Sequence, residues 1–307
     1  MTISILALGD LALDVILGPI SDFPAWGNES EAATGVVRLG GNLGNFAVAA
    51  RALDLHLRVA GLVGDDENGS RLKRDLAALG CSTDFVRTVA GGATCISVGF
   101  YHDKGERLFV TYPGVLKDLE IFIRGAQFRP TEVAFLTGWC QPPRVSAAVL
   151  MAFCDTLAEL SASVVMDLSW SDASWACGED VIAVLRHVDY VLMNCDELAA
   201  LSGEANVDTA LAALGERLGT RPTIVVKLGP DGAVARLPSG DVVRASAPPA
   251  GNASTVGAGD AFNAGFISAR FVDGLDIEAA LAKACVVASA MIRGGRSAHL
   301  IQSKGCE

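Results

Sequence analysis

The most regular feature of the chain is an alternation of short apolar runs with longer stretches of helical spacing. ISILALG (3–9), LRVAGLVG (57–64), EVAFLTG (132–138), SVVMDLS (163–169), VDYVLMN (188–194) and TIVVKLG (223–229) are rich in Val, Ile, Leu and Ala. Continuous apolar runs of this length read as strands buried on both faces, since a strand with one wet face would alternate apolar with polar. Between them lie NFAVAARAL (45–53), opened by Asn45, NGSRLKRDLAALG (68–80) with a glycine stop, and helical patterns over about 144–160, near 179–186 and from about 196. Strands alternating with helices predict βαβ units, and so an α/β fold. Its sheet is doubly wound, mostly parallel and covered by helices on both faces.

Two regions break the rhythm. Residues 10–40 contain ALDVILG and EAATGVVRLG around a loop punctuated by Pro and Gly. Residues 93–112 contain ATCISVGFYH, a turn at DKGE, and RLFVTY. Gly105 in that turn, with β-branched and aromatic residues on both sides, predicts a β-hairpin. No helix lies between these pieces. They predict a small β-sheet lid beside a single α/β domain spanning 1–307. The open face of such a lid must cover a substrate, a second subunit, or both, which makes a homodimer through the lid an expectation.

Composition narrows the partners. Lys and Arg total 24 against 35 Asp and Glu, a formal charge of −11, which argues against nucleic acid or an anionic membrane as a partner. The eight cysteines form no CxxC pair and only four histidines accompany them, which argues against a zinc site. They fall in apolar surroundings such as MAFCDTL and KACVVAS, where Cys acts as a small hydrophobe, so the chain reads as cytoplasmic and reduced. The start, MTISILALGD, lacks the basic region and cleavage site of a signal peptide. IEAALAKACVVASAMI is interrupted by Lys283 and reads as a buried helix rather than a membrane span.

The stretch STVGAGDAF (254–262) carries the chemistry. Gly257, Ala258 and Gly259 lack bulk, so backbone N–H groups there can approach a ligand closely. The following DAFNAGFISARF is helical, and the N-terminus of a helix offers unpaired N–H groups and a positive dipole end to an anion. Asp260 stands where that anion would be held. On these residues alone it is either an N-cap, which would stabilise by about 0.5–2 kcal/mol, or a catalytic carboxylate. The Walker pattern GxxxxGK[ST] is absent.

GGNLGNFAVAARAL and STVGAGDAF resemble the two signature regions of the PfkB, or ribokinase-like, carbohydrate kinases. GDLALD at the first strand, LVGDDENG after the first crossover, NCDE with the NxxE pattern and KLGPDGA with the GxxG pattern fall in the family's order. The resemblance spans about residues 5–297 and implies a ribokinase-like fold with a lid. It implies that Asp260 is the base that takes the proton from the substrate hydroxyl. Gly257, Ala258 and Gly259 match the anion hole around the transferring phosphoryl group. Asn194 and Glu197 match the pair that helps place Mg²⁺ through its waters, and read without the resemblance NCDELAAL is a capped helix with acidic first-turn residues. Asp14, Gly41, Asn42 and Asn45 match the substrate-binding face, although Asn45 could simply cap its helix. Lys227, Gly229, Gly232 and Thr255 match the nucleotide side, together with Asn194. ATP and Mg²⁺ are the implied cofactors.

The chain departs from the family in three places. Ser254–Thr255 stands where many members carry Asp–Thr, an Asp that commonly helps hold a monovalent cation, so a monovalent cation is left open. The family's DxN reads DLS at Asp167–Ser169. Asn42 replaces the ribokinase-type Lys. The reading that follows is an ATP-dependent phosphotransferase acting on a hydroxymethyl group of a small sugar-like substrate. A nucleoside kinase, with Trp26, Phe100, Tyr101, Phe109 or Tyr112 stacking on a base, is the alternative within the same chemistry. A non-catalytic sugar-binding regulator is the alternative outside it.

Overall fold

The structure is a computed structural model; it describes residues 3–102, 107–139, 145–169, 178–250 and 257–294. The strands are β1 (Ile5–Leu8), β2 (Ala12–Gly18), β3 (Thr34–Gly40), β4 (Leu57–Gly64), β5 (Ser82–Val89), β6 (Ile96–Tyr101), β7 (Arg107–Tyr112), β8 (Val133–Thr137), β9 (Ser163–Asp167), β10 (Tyr190–Asn194), β11 (Thr223–Lys227), β12 (Ala233–Arg236) and β13 (Val242–Ala245). Nine of them form one sheet in the order β13-β12-β11-β10-β9-β8-β1-β4-β5. All neighbours in it are parallel except at one edge, where β12 and β13 run antiparallel. The six apolar runs read above supply β1, β4, β8, β9, β10 and β11. Side chains alternate along each strand between two buried clusters. Leu6, Leu8, Leu136 and Val226 enter one, and Ile5, Ala7, Phe135 and Val225 enter the other. Helices lie over both, which is why these strands show no polar alternation.

β3-β2-β6-β7 form the second, smaller sheet. β6 and β7 are the hairpin; its DKGE turn lies outside the described residues. β2 pairs antiparallel with β3 and parallel with β6. The motif LVGDDENG explains how this sheet is rooted. Asp66 caps the helix Glu67–Ala78 by accepting from Gly69 N at 2.7 Å, and it also accepts Thr94 N at 2.8 Å, two residues before β6. One carboxylate thus ties the lid's hairpin to the end of β4.

Some expectations change. The first helix spans Gly41–Arg51 and is capped at Gly40, four residues before the expected start at Asn45. Asn45 is therefore an interior helical residue, not a cap. Gly41 begins the helix with φ +73°, a left-handed conformation that glycine adopts without strain. DAFNAGFISARF is α-helical only to Ile267; a π-type turn at Ser268–Val272 widens its end. β5, the β12–β13 edge and the helices Leu119–Gly125 and Val207–Leu218 had no clear signature in the pattern. The cysteines at 81, 154, 195 and 285 are free, and no helix among the described residues is long and apolar enough to cross a membrane.

Candidate active site

Parallel strands present their carboxyl ends along one edge of the sheet, and the chain reverses its direction of growth between β1 and β8. A ligand crevice is expected at the strand ends beside such a switch point. Asp10 follows β1, Gly138 follows β8, Asp167 ends β9, Asn194 ends β10 and Lys227 ends β11. The helix Ala258–Ile267 meets them from the far end of the chain.

That helix is capped by Gly257 in the left-handed region, φ +85°, and has no side-chain cap bond. Asp260 occupies its third position, so the N-cap reading of Asp260 is overturned: the backbone turn at Gly257 already does that work. The helical ladder starts with Ala261 N–H donating to Gly257 O at 2.9 Å. The N–H groups of Ala258, Gly259 and Asp260 precede that bond and point out of the helix end. A Cβ on Gly257 would meet no other described atom within 4 Å, and one on Gly259 would meet only Lys227 Nζ, at 3.8 Å. Both would project into open space, where an anion bound by these N–H groups would have to sit.

The charges around this point are mutually dependent. Lys227 Nζ donates to Asp167 Oδ1 at 2.7 Å and to Asn263 Oδ1 at 3.4 Å. Thr137 Oγ1 donates to Asp167 Oδ2 at 3.4 Å. Burial pushes the Asp260 carboxyl well above the usual carboxylate range; Asp167 adds to the rise and Lys227 opposes it. Burial pulls Lys227 down, but Asp167 and Glu197 more than reverse this and hold it protonated. Asn263, on the helix face next to Asp260, is fully buried and its Nδ2 has no acceptor among the described residues.

Asn194 and Glu197 form a capping box. Asn194 Oδ1 accepts from Glu197 N and Glu197 Oε2 accepts from Asn194 N, both at 2.8 Å. Glu197 is buried, and burial lifts its carboxyl to about 7. The box commits one oxygen of each side chain. No cluster of three His, Cys, Asp or Glu side chains able to hold a metal occurs among the described residues. The chemistry of this donor set fits a cation that arrives on the phosphates of a nucleotide and keeps most of its waters, not a preformed cage.

A cleft of about 480 Å³ adjoins the helix end, lined by Lys227, Gly229, Gly232, Pro248, Phe262 and Ile292 among others. Its largely apolar walls, with Lys227 among the lining residues, fit a nucleotide. Gly229 faces no described atom within 4 Å, whereas a Cβ on Gly232 would lie 2.0 Å from Ala245 O, so Gly232 is required by packing against β13. Thr255, with Ser254, lies outside the described residues.

On the other side of Asp260 stands the lid. Asp14, on β2, is buried, and its Oδ1 accepts from Gly41 N at 3.4 Å. Burial raises its carboxyl to about 6 even though Arg38 pulls the other way. Gly40 must be glycine because its Cβ would stand 1.9 Å from Asp14 Cγ. Asn42 donates its N–H to Asp10 Oδ2 at 3.2 Å and its Nδ2 to Ser169 Oγ at 3.1 Å. Asn45 is one turn further along the same helical face. Asp14, Gly41 and Asn42 therefore converge, with Asn45 one turn along the helix, as do Asp260, Gly257–Gly259 and Lys227. Asp10, Asp167, Asn263 and Arg38 join them without having been singled out. For Asp10 and Asp167 the one available signal was position, just past or at the carboxyl ends of buried parallel strands, and Asn263 and Arg38 carried none.

A doubly wound sheet with a separate four-stranded lid, and charged side chains gathered where its strands end, frame this site. The chain belongs to the pfkB family of carbohydrate kinases, whose model matches residues 3–302. It is 33% identical over 264 residues to an ATP-dependent ribose-1-phosphate kinase of Halopiger xanaduensis, covering 84% of this chain and 82% of that one. It is 26% identical to a fructokinase of Klebsiella pneumoniae over 95% of this chain and 94% of that one. The solved ribokinase of Arabidopsis thaliana, complexed with ribose and ATP, superposes with a TM-score of 0.77 at 22% identity, covering 95% of this chain and 93% of that one. The fold is ribokinase-like, and the enzyme is a sugar kinase of an ATP-dependent class.

Proposed function

We propose that the protein transfers the γ-phosphoryl group of ATP to a hydroxymethyl group of a small sugar-like substrate, with Asp260 as general base. The observation that supports this is the position of Asp260: in the first turn of a helix whose start has no side-chain cap, next to Lys227, Asp167, Asp10 and Asp14, with its carboxyl raised by burial. A carboxylate raised toward neutrality is a better proton acceptor than an ordinary one. Asp14, Asn42 and Asn45 hold the vicinal hydroxyls, and the acceptor hydroxyl gives its proton to Asp260 Oδ as it attacks. The N–H groups of Gly257, Ala258 and Gly259 take up charge on the phosphoryl oxygens, and Lys227 adds a full positive charge beside them. Mg²⁺, placed through water by Asn194 and Glu197, would neutralise the nucleotide phosphates.

A sugar is favoured over a nucleoside because Phe100 and Tyr112 lie on the lid face turned away from Asp14 and Trp26 is fully exposed, while of the two aromatics on Asp14's face Tyr101 lies with its hydroxyl 3.2 Å from Thr34 Oγ1 and Phe109 packs over Gly99. The test is ADP release across neutral sugars, sugar phosphates and nucleosides; ribose 1-phosphate belongs in the set because the Halopiger relative is named for it. Turnover of a sugar-like substrate is the expected result. Preferred turnover of nucleosides, or binding of sugar without ADP release, would overturn it.

Two further outcomes are expected. Asp14→Ala should raise the substrate KM strongly and leave the ATP dissociation constant nearly unchanged, because hydroxyls that lose a buried partner go unpaired. In the wild type kcat/KM should fall as pH drops through about 6, where Asp14 takes up a proton and stops accepting. Equal damage to both affinities would assign Asp14 to the fold. We also propose a homodimer. On the lid face opposite Asp14, Val37, Leu108, Val110 and Tyr112 are 43%, 48%, 59% and 56% exposed. A row of exposed apolar side chains on a sheet is unfavourable in water unless a second copy covers it. Light scattering at micromolar protein should give twice the chain mass; a monomer would count against it.

A further inference from the structure

Asn263 is the one polar side chain among the buried residues of the helix Ala258–Ile267; the rest, from Ala261 to Ile267, are apolar. Asn263 itself is fully buried. Its amide is held at one end, where Oδ1 accepts from Lys227 Nζ at 3.4 Å. An ammonium has donors only, so the amide oxygen must face Lys227 and the Nδ2 group must turn away from it. That Nδ2 is buried and meets no acceptor among the described residues. A donor left unpaired in a core costs stability, and a leucine of similar shape would fill this position without that cost.

An acceptor stands close by on the same helix. Asp260 lies three residues earlier, and residues three apart share a helical face with Cβ atoms about 5–6 Å apart, within reach of an amide-to-carboxylate hydrogen bond. The helix start gives Asp260 no side-chain cap bond. The charged groups that act on its carboxyl are Asp167 and Lys227 from the ends of β9 and β11, Asp10 from the loop after β1, and Asp14 from the lid. Three of these four are acids, so the site needs donors to hold Asp260 ionised. Catalytic hydrogen bonds are often open before substrate binds and close in the reacting complex.

We infer that Asn263 is a positioning residue for Asp260: in the reacting complex its Nδ2 donates to the Asp260 carboxylate while its Oδ1 stays on Lys227. The inference rests on the reading of Asp260 as general base and adds the group that orients it. One planar amide then sets the base at a fixed place beside the ammonium and the helix start at Gly257. It leaves the second carboxylate oxygen to take the proton of the attacking hydroxyl. A base oriented by a third group is the general form of such sites. A donor on the ionised form also favours that form, so Asn263 and Lys227 act together against burial and the three neighbouring acids.

The experiment measures ADP release with the sugar that wild type turns over fastest, ATP binding by calorimetry, and chemical unfolding. The chains compared are wild type, Asn263→Leu, Asn263→Ser, Asp260→Asn and the double variant Asp260→Asn, Asn263→Leu. Asn263→Leu should lower kcat by about 10- to 100-fold, the range of a hydrogen bond to a charged group, and leave KM for the sugar and the ATP dissociation constant within about threefold. The acid limb of its kcat profile should move to higher pH, because the ionised Asp260 loses a donor. Its stability should equal or exceed that of wild type, because an unpaired buried donor is gone. Asn263→Ser, which keeps a hydroxyl donor, should recover part of kcat. In the Asp260→Asn background, Asn263→Leu should change kcat by less than about twofold, since a residue that acts through the base has nothing left to position. Effects that multiply in the double variant overturn the inference and assign Asn263 to Lys227 alone. An Asn263→Leu with wild-type kcat and an unmoved acid limb overturns it too. In both cases the kinase reading stands, provided Asp260→Asn has lost its activity. An Asp260→Asn that keeps its activity removes the general-base reading and this inference with it. If Asn263→Leu does not fold, Asn263→Ala takes its place in the cycle.

Discussion

Asp260→Asn should lower kcat by about 10²–10⁴-fold, the usual contribution of a positioned proton acceptor. The substitution keeps the shape of the side chain and removes only its basicity. Capping gives no competing account, since Gly257 is the N-cap of the helix and Asp260 makes no cap bond. The sign of the stability change is also set. A carboxyl whose pKa is raised in the folded chain favours folding only while protonated, and that contribution is lost as pH rises through the raised value. At pH 8 a neutral amide removes a buried charge, so the melting temperature of Asp260→Asn should equal or exceed that of the wild type. ATP binding by calorimetry should persist. A variant that keeps more than a tenth of wild-type kcat, with chemistry rate-limiting, would remove Asp260 from the reaction.

Lys227→Met should be damaging in two separable ways. It strips the cation from a pair whose side chains are 16% and 8% exposed, leaving Asp167 buried next to Asp260 and Glu197. Removing one partner of a buried pair costs about 3–5 kcal/mol, whereas removing both is often close to neutral. Chemical unfolding should show that loss in Lys227→Met and its recovery in the double variant Lys227→Met, Asp167→Asn. Turnover should not recover. Loss of one preorganised charge at a transferring group costs about 10²–10³-fold in kcat. Lys227 also holds the Asp260 carboxyl down, so the acid limb of the kcat profile should move to higher pH in Lys227→Met. A double variant that regains both stability and kcat would reduce Lys227 to a structural counter-ion.

How much of this was legible beforehand varies with the locality of the signal. The six apolar runs became six parallel strands, and the hairpin at 93–112 and the strands at 12–18 and 31–40 became the lid, because two-sided burial and turn chemistry are written residue by residue. Where the signal was mixed, the pattern misled or was silent. The polar-rich β5 and the four-residue β12 and β13 lack a run long enough to stand out. Asn45 looked like a cap because Asn favours that position, but Gly41 can take the left-handed turn that starts the helix earlier, at a point where Asp14 leaves no room for a Cβ on Gly40. The capping box at Asn194 and Glu197 was visible as spacing alone, since a box needs only partners three positions apart.

By itself the sequence determined the α/β class, the identity of the central strands, the presence of a lid and the small-residue turn before Asp260, since each depends on neighbours within a few positions. Tertiary structure decided which charges meet. Asp10 and Asp14, Asp167, Lys227, and Asp260 come from four separate stretches of the chain, and only the packing of strands, lid and helix brings them to one crevice. The raised carboxyls of Asp14 and Asp260 follow from that burial, and no local pattern encodes it. Likewise Arg38 reads as an ordinary strand residue until the register of β2, β3, β6 and β7 sets it in one row with Asp14, because a strand's side chains acquire a face only when its partners are known.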